Sequence, residues 1–371
     1  MRAGVIGATG YAGAELVRLL ASHPNINDLV LSSVSFEGEN IEGVYPGFLG
    51  RVSFPLVKAV DVVAAADVVF SALPHGLGEQ NAKDCMARGI PFIDLSADFR
   101  FGEDEATFSA WYGKPYQYPE LHEHSVYGLP EMNRERIREL AASGRAIIGN
   151  PGCYPTSAAL GAFPALAKGL AAENATIIVD AASGISGGGR EPSRSFHYPE
   201  CADSVAPYKV GAHRHTPEIA RSFANMAAAT GVEPSVIFTP HLVPMNRGIL
   251  STIYIPLSES LRATKANGKI RPPSGEIEGK AAELHAVYAD FYKDEPFVRV
   301  LPPGAVSATN RVRNSNYCDI SVHTDHSGST LIVVSAIDNM LKGAAGQAVQ
   351  NMNLIFGFDE RAGLGMIPLL F

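Results

Sequence analysis

The first twenty residues constrain the fold more than any other stretch. RAGVI (2–6) reads as a short buried strand. Gly7-Ala8-Thr9-Gly10-Tyr11-Ala12-Gly13 follows, with glycines in G-x-x-G-x-x-G spacing. The helix-like AGAELVRLLASHP comes next, with Leu16, Leu19 and Leu20 on one face and Pro24 past its end. Glycines let a backbone turn tightly and approach a pyrophosphate, and amides at the helix start face its charge. The strand before and the helix after separate this loop from an ordinary turn. Gly7, Thr9, Gly10, Tyr11 and Gly13 are therefore expected to cradle a dinucleotide.

The pattern continues with strand-like DLVLSSVS (28–35), DVVFSALP (67–74), PFIDLSA (91–97) and AIIGNPG (146–152), and a helical stretch at 77–88. Repeated strand–helix–strand units predict an α/β fold with a Rossmann-type, doubly wound parallel sheet. At about 150 residues per domain, 371 residues predict two domains. An NAD site often carries an Asp or Glu at the end of the second strand for the ribose hydroxyls. This chain has Ser32, Ser33 and Ser35 there, with Glu37 and Glu39 close behind and Arg51 the nearest base downstream. Hydroxyls can donate to a 2′-phosphate where a carboxylate would repel it, so NADP is the favoured dinucleotide, and Ser33 and Ser35 are the candidate contacts.

With 46% hydrophobic residues, 18% charged and a net charge of −8, a disordered chain and a broadly basic nucleic-acid binder are excluded. No apolar run reaches the length that spans a bilayer. The N-terminus enters a strand pattern at once, so no signal or transit peptide is expected. Four cysteines (85, 153, 201 and 318) without a C-x-x-C pair point to a reducing cytoplasm rather than a disulfide framework.

The chemistry concentrates in the centre. Gly149-Asn150-Pro151-Gly152-Cys153-Tyr154-Pro155-Thr156 joins a strand to a new helix, with Pro155 suited to its first turn. Cys153 therefore lies at a helix N-terminus, where the partial positive charge favours thiolate, the nucleophile of acyl transfer. Cys85, Cys201 and Cys318 lack such surroundings and read as structural. In Gly211-Ala212-His213-Arg214-His215-Thr216-Pro217-Glu218, Thr216 is the expected N-cap, and an extended lead-in would point both imidazoles the same way. Zinc binding and proton exchange both use such a pair. No Cys/His partners stand at finger-like spacing, so acid/base chemistry is favoured and no metal is expected. Spacing does not say which histidine carries the proton. Arg100, Arg190, Arg247, Arg311 and Arg313 lie beside glycine or in polar turns and together suggest an anionic substrate. The glycine run 184–189 offers a phosphate nest or a plain loop.

These segments resemble the N-acetyl-gamma-glutamyl-phosphate reductase family of arginine biosynthesis over nearly the whole chain. The likeness rests on IGATGYAGAELVRLL (6–20), LPHG (73–76), DLSADFR (94–100), YGLPEMNR (127–134) and GNPGCYPT (149–156). It continues through SGISGGGR (183–190), YKVGAHRHTPEI (208–219), TPHLVPMNRGIL (239–250) and DNMLKGAAGQAVQNMN (338–353). The resemblance implies an NADP-binding domain at 1–150 with 331–371, and an inserted α+β catalytic and dimerisation domain at 151–330. It further implies a cytoplasmic homodimer or homotetramer with a small acyl phosphate as substrate. Cys153 would be the nucleophile, forming a thioester that NADPH reduces to a semialdehyde. His215, slightly ahead of His213, would be the acid/base. Pro74, Ser183, Gly184 and Asn339 would join the cofactor contacts. Arg100 and Arg190, with Asn150 and Arg247, would hold the substrate.

Three departures from the family pattern stand out. Gly78 replaces a small hydroxyl residue after PHGL, SGGGR replaces SGAGR, and the polar segment 261–280 is longer than usual. A reductase of carrier-linked aminoadipyl phosphate in lysine synthesis shares the motifs and is the close alternative. Its carrier is acidic, and the net −8 disfavours that pairing. An NADP sensor without turnover would need neither Cys153 nor the histidine segment.

Overall fold

The computed structural model describes residues 1–262 and 275–369, so residues 263–274 of the polar 261–280 segment lie outside it. The chain divides into two units. One comprises Met1–Gly152, Gly188–Glu191 and Met340–Ile367, and the other chiefly Cys153–Gly187 and Pro192–Asn339.

The first unit is built on seven parallel strands: β1 (Arg2–Ile6), β2 (Asp28–Ser32), β3 (Leu56–Val57), β4 (Val68–Ser71), β5 (Phe92–Asp94), β6 (Ser125–Tyr127) and β7 (Ile147–Gly149). Their order is β3-β2-β1-β4-β5-β7-β6. The strands run parallel throughout, but the order in which they are added changes sides between β1 and β4, at the crevice where such sheets bind ligands. Val68, Val69 and Phe70 are all buried because both faces of the sheet are covered. Leu16, Leu19 and Leu20 bury one side of the Tyr11–Leu20 helix, as the spacing predicts. The expected strands are all present; β1 spans 2–6 as expected, and the others are shorter than their apolar runs. β2, for example, stops at Ser32, because Ser33 to Ser35 turn away into the loop.

A late helix, Gly346–Phe356, is buried along nearly its whole length although it carries Gln347, Gln350, Asn351 and Asn353. Buried amides are costly unless hydrogen-bonded. Asn351 Nδ2 donates to the Gly128 carbonyl at 2.8 Å, and Asn353 Nδ2 donates to the carbonyls of Glu360 and Ala362. Lys342, fully buried, donates to Glu131 at 2.6 Å and to Gln350 at 2.8 Å.

The second unit holds a mixed sheet of β8 (Thr176–Ser183), β9 (Ala206–Pro207), β10 (Ser235–Leu242), β11 (Ile249–Pro256), β12 (Val298–Val300), β13 (Cys318–Thr324) and β14 (Thr330–Ile337). The order is β12-β13-β14-β11-β8-β10-β9. Because β14 pairs antiparallel with both β11 and β13, the chain leaves this unit after Asn339 rather than near 330. Strict alternation puts Val179, Ile253 and Val333 on a buried face. The Cys153–Ala167 helix packs there, close enough at Gly161 that a side chain would strike Ile253. The other face carries a row of Ile237, Ile178, Tyr254 and Ile332 in register across β10, β8, β11 and β14. Ile237 is 52% exposed and Ile178 36%.

Candidate active site

In the first unit the glycine loop forms as the spacing requires. Gly7 adopts φ +82°, and the amides of Gly7 and Ala8 donate to the Ser32 carbonyl at 3.1 and 2.9 Å. A Cβ on Gly13 would lie 2.1 Å from the Gly7 carbonyl oxygen, so only glycine lets the helix start close against the loop. Gly10 caps the Tyr11–Leu20 helix without a side-chain bond, leaving its first amides for an anion. Thr9 Oγ1 and Ser33 Oγ lie 2.7 Å apart, and Tyr45 donates its hydroxyl to the Thr9 carbonyl at 2.9 Å. Ser35 is exposed beyond the end of β2, and Pro74 is exposed just past β4. A glycine loop packed close against the helix start, with hydroxyls rather than a carboxylate at the end of β2, fits a nicotinamide dinucleotide.

Four residues expected at the site have engagements that spacing does not disclose. Arg100 is buried, and its guanidinium donates to the carbonyls of Asn150 and Leu95, both at 2.8 Å. Asn150 donates to Ala344 O at 3.1 Å and accepts from Asn351 Nδ2 at 3.2 Å. These two side chains thus brace the end of β7, from which the chain runs on to Cys153. Arg190 belongs to the cofactor unit, with Nη1 3.1 Å from the Thr9 carbonyl. Arg247, in the second unit, pairs with Asp338 at 3.5 Å and with Asn314 at 3.2 Å.

Gly78 begins the Glu79–Ala87 helix without a side-chain cap, and its amide donates to Asp98 at 3.0 Å. The hydroxyl missing at this position is therefore a cap beside two buried carboxylates, Asp94 and Asp98. Complete burial and the charge of Asp98 push Asp94 up to about 7, against the pull of Ser96 and Arg100. Burial raises Asp98 as well.

The second unit carries the candidate nucleophile and the histidine pair. Cys153 is the first residue of the Cys153–Ala167 helix and is partly exposed, whereas Cys85, Cys201 and Cys318 are buried. Burial raises the Cys85 thiol to about 12. Tyr154 is buried behind Cys153 and accepts a hydrogen bond from the Tyr208 hydroxyl at 3.0 Å. Burial raises both phenols, Tyr208 to about 12, so both stay neutral; the charge of Cys153 adds to each shift.

The histidine lead-in is a turn rather than the extended segment expected. The Thr216 amide donates back to the His213 carbonyl, and the Thr216–Ala227 helix begins one residue early with His215 as its cap. Lys209, at φ +47°, sets the preceding bend. The rings of His213 and His215 still meet, with centroids 4.9 Å apart. His213 is boxed by Tyr154, Tyr208 and Phe238 at 5.4–5.6 Å. Its Nδ1 accepts the His215 amide at 3.0 Å, so the neutral ring carries its proton on Nε2. Burial, helped by Lys209 and Arg214, lowers His213 to about 4. His213 is thus a fixed neutral ring at physiological pH.

Ser183, Gly184 and Asn339 come together around one turn. Gly184 N donates to Gly248 O at 2.9 Å, Gly248 N donates to Asn339 Oδ1 at 2.8 Å, and Asn339 Nδ2 donates to Ser186 at 3.0 Å. Ser183 Oγ donates to the Gly184 carbonyl. Sequence reading missed the aromatic surroundings, Tyr154, Tyr208 and Phe238. Tyr154 and Tyr208 lie inside the quoted motifs, but nothing in a linear pattern tells a packing ring from one holding a histidine.

Residues 2–140 match the model of the semialdehyde dehydrogenase NAD binding domain, and residues 153–339 that of the semialdehyde dehydrogenase dimerisation domain. The chain is 47% identical over 371 residues to the N-acetyl-gamma-glutamyl-phosphate reductase of Clostridium beijerinckii, covering all of both. It is 44% identical over 375 residues to that of Brachyspira hyodysenteriae, again covering all of both. Among solved structures it resembles aspartate semialdehyde dehydrogenase II of Vibrio cholerae, with TM-score 0.69, 16% identity, and 96% and 98% of the two chains covered. The Candida albicans aspartate semialdehyde dehydrogenase solved with NADP gives TM-score 0.64 and 18% identity, with 98% of each chain covered. These two likenesses speak to fold, and the full-length identities to the closer kinship: the chain belongs to the N-acetyl-gamma-glutamyl-phosphate reductase family of the semialdehyde dehydrogenases.

Proposed function

We propose that this enzyme reduces N-acetyl-L-glutamyl 5-phosphate to N-acetyl-L-glutamate 5-semialdehyde through a thioester on Cys153, using NADPH. The observation that carries the reading is the placement of Cys153. It is a partly exposed cysteine opening a 15-residue helix, followed directly by Tyr154, whose ring meets both His213 and His215. The helix N-terminus favours the thiolate. The sulfur adds to the acyl carbon, the carbon–oxygen bond to phosphate breaks, and phosphate departs with the electron pair. When bound, the reduced nicotinamide supplies a hydride to that carbon.

The thiohemiacetal oxyanion on Cys153 then collapses to aldehyde and thiolate. His215 donates to the oxygen while it is negative and takes the proton back on collapse. His213 fixes the backbone at His215 by accepting its amide, and its ring packs against that of His215. Ser33 and Ser35 support NADP over NAD, since a carboxylate at the end of β2 would repel the 2′-phosphate. The chain works in the cytoplasm as a homo-oligomer, joined through the row of Ile237, Ile178, Tyr254 and Ile332. The dimerisation-domain match and the exposure of that row support this.

The test runs the reaction backwards, with semialdehyde, phosphate and oxidised cofactor, reading absorbance of the reduced nicotinamide. Turnover with N-acetylglutamate semialdehyde and NADP is expected. Turnover only with the carrier-linked aminoadipate semialdehyde, or none with either, would refute the assignment.

A further inference from the structure

We propose that Arg190 reads the ribose 2′-phosphate of the cofactor, in a pocket completed by Ser33, Phe36 and Tyr45. The inference rests on the NADP reading above and deepens it. Its sequence position, at the end of SGISGGGR, suggested a substrate contact. In the folded chain Gly188–Glu191 packs with the cofactor unit instead. The Arg190 guanidinium carbon lies 5.1 Å from the Phe36 ring centroid and 5.2 Å from that of Tyr45, and Nη1 donates to Thr9 O at 3.1 Å. Arg190, Tyr45 and the Thr9–Ser33 hydroxyl pair therefore converge on the glycine loop where β2 ends. In this topology that is where the adenosine ribose lies.

Charge narrows the reading. Arg190 is exposed and forms no salt bridge among the described residues. The neighbouring Glu37 is drawn to Lys58 at 3.8 Å. One N–H is spent on Thr9 and another faces the Tyr45 hydroxyl, leaving the rest of the five donors, and two aromatic rings fix the plane of the guanidinium. A planar fork held this way keeps donors for a second acceptor, and a phosphate dianion matches it in charge and geometry. The Ser33 hydroxyl leaves that side of the pocket without a competing negative charge.

The proposal is tested by fluorescence titration of NADPH and NADH into wild type, Arg190→Gln and Arg190→Lys, with 2′-AMP and 5′-AMP as competitors. Arg190→Gln is expected to weaken NADPH and 2′-AMP about 10- to 100-fold while leaving NADH and 5′-AMP unchanged. Arg190→Lys, with charge but no fork, is expected to fall between. Equal weakening of NADPH and NADH would make Arg190 a mere pin of the glycine loop and overturn the assignment, as would an unchanged NADPH affinity. A wild type that binds NADH as tightly as NADPH would overturn the NADP reading and the proposal with it.

Discussion

Replacing Asp94 by asparagine is expected to remove a pH-dependent strain from the cofactor unit. Asp94 is fully buried at the end of β5, and its Oδ2 accepts from Ser96 Oγ at 2.5 Å. Its backbone carbonyl accepts the Asn150 amide at 2.8 Å, so it sits where β5 meets the segment leading to Cys153. Burial and Asp98 raise its pKa to about 7, whereas an unfolded aspartate titrates near ~3.9. An acid whose folded pKa is the higher one binds protons more readily when folded. Its contribution is therefore complete below pH ~4 and is lost as pH rises towards 7. Between pH 5 and 8 the loss is on the order of 2–3 kcal/mol, or roughly 3–6 °C in Tm. An uncharged isostere can still accept from Ser96 and has no such loss. Calorimetric melts of the cofactor-free enzyme should show wild type losing stability over that range, with Asp94→Asn flatter and ahead at pH 8. Parallel pH profiles for the two proteins would refute the reasoning.

Two further outcomes follow from the buried groups. His213, lowered to about 4, is neutral from pH 5 to 8. His213→Asn should therefore keep the neutral-range ionisation in the kcat/KM profile, while His215→Asn should lose it; the reverse pattern would exchange their roles. Lys342→Met should destabilise the enzyme by about 3–5 kcal/mol in denaturant melts by stranding the buried Glu131 carboxylate. Adding Glu131→Leu should recover much of that, and failure to recover would show that the ion pair is not what matters there.

Much of the fold was legible because it is local. The G-x-x-G-x-x-G loop, the leucine face of its helix and the repeated apolar runs are all read within a few turns of chain. The place of Cys153 at a helix start was legible for the same reason, since glycines and prolines around a strand–helix junction announce it. Long-range partnership was not legible. β3 and β6 are only two and three residues long and exist because neighbouring strands offer edges. The placement of Arg190 with Thr9 spans 181 positions. Arg100 and Asn150 look like anion contacts in sequence, yet they spend donors on backbone carbonyls that only the folded chain brings near. The histidine pair met as expected, though through a turn rather than an extended strand. Rings close in space need only a shared wall, which Tyr154 provides.

The central claim is that Cys153 carries the acyl group, and intact-protein and peptide mass spectrometry tests it directly. Enzyme mixed with N-acetylglutamyl phosphate in the absence of cofactor should gain one N-acetylglutamyl group, mapped to the Cys153 peptide and discharged when NADPH is added. Cys153→Ser should gain none and should still bind NADPH. An active wild type that never acylates, or an acyl group found on another residue, would contradict the account.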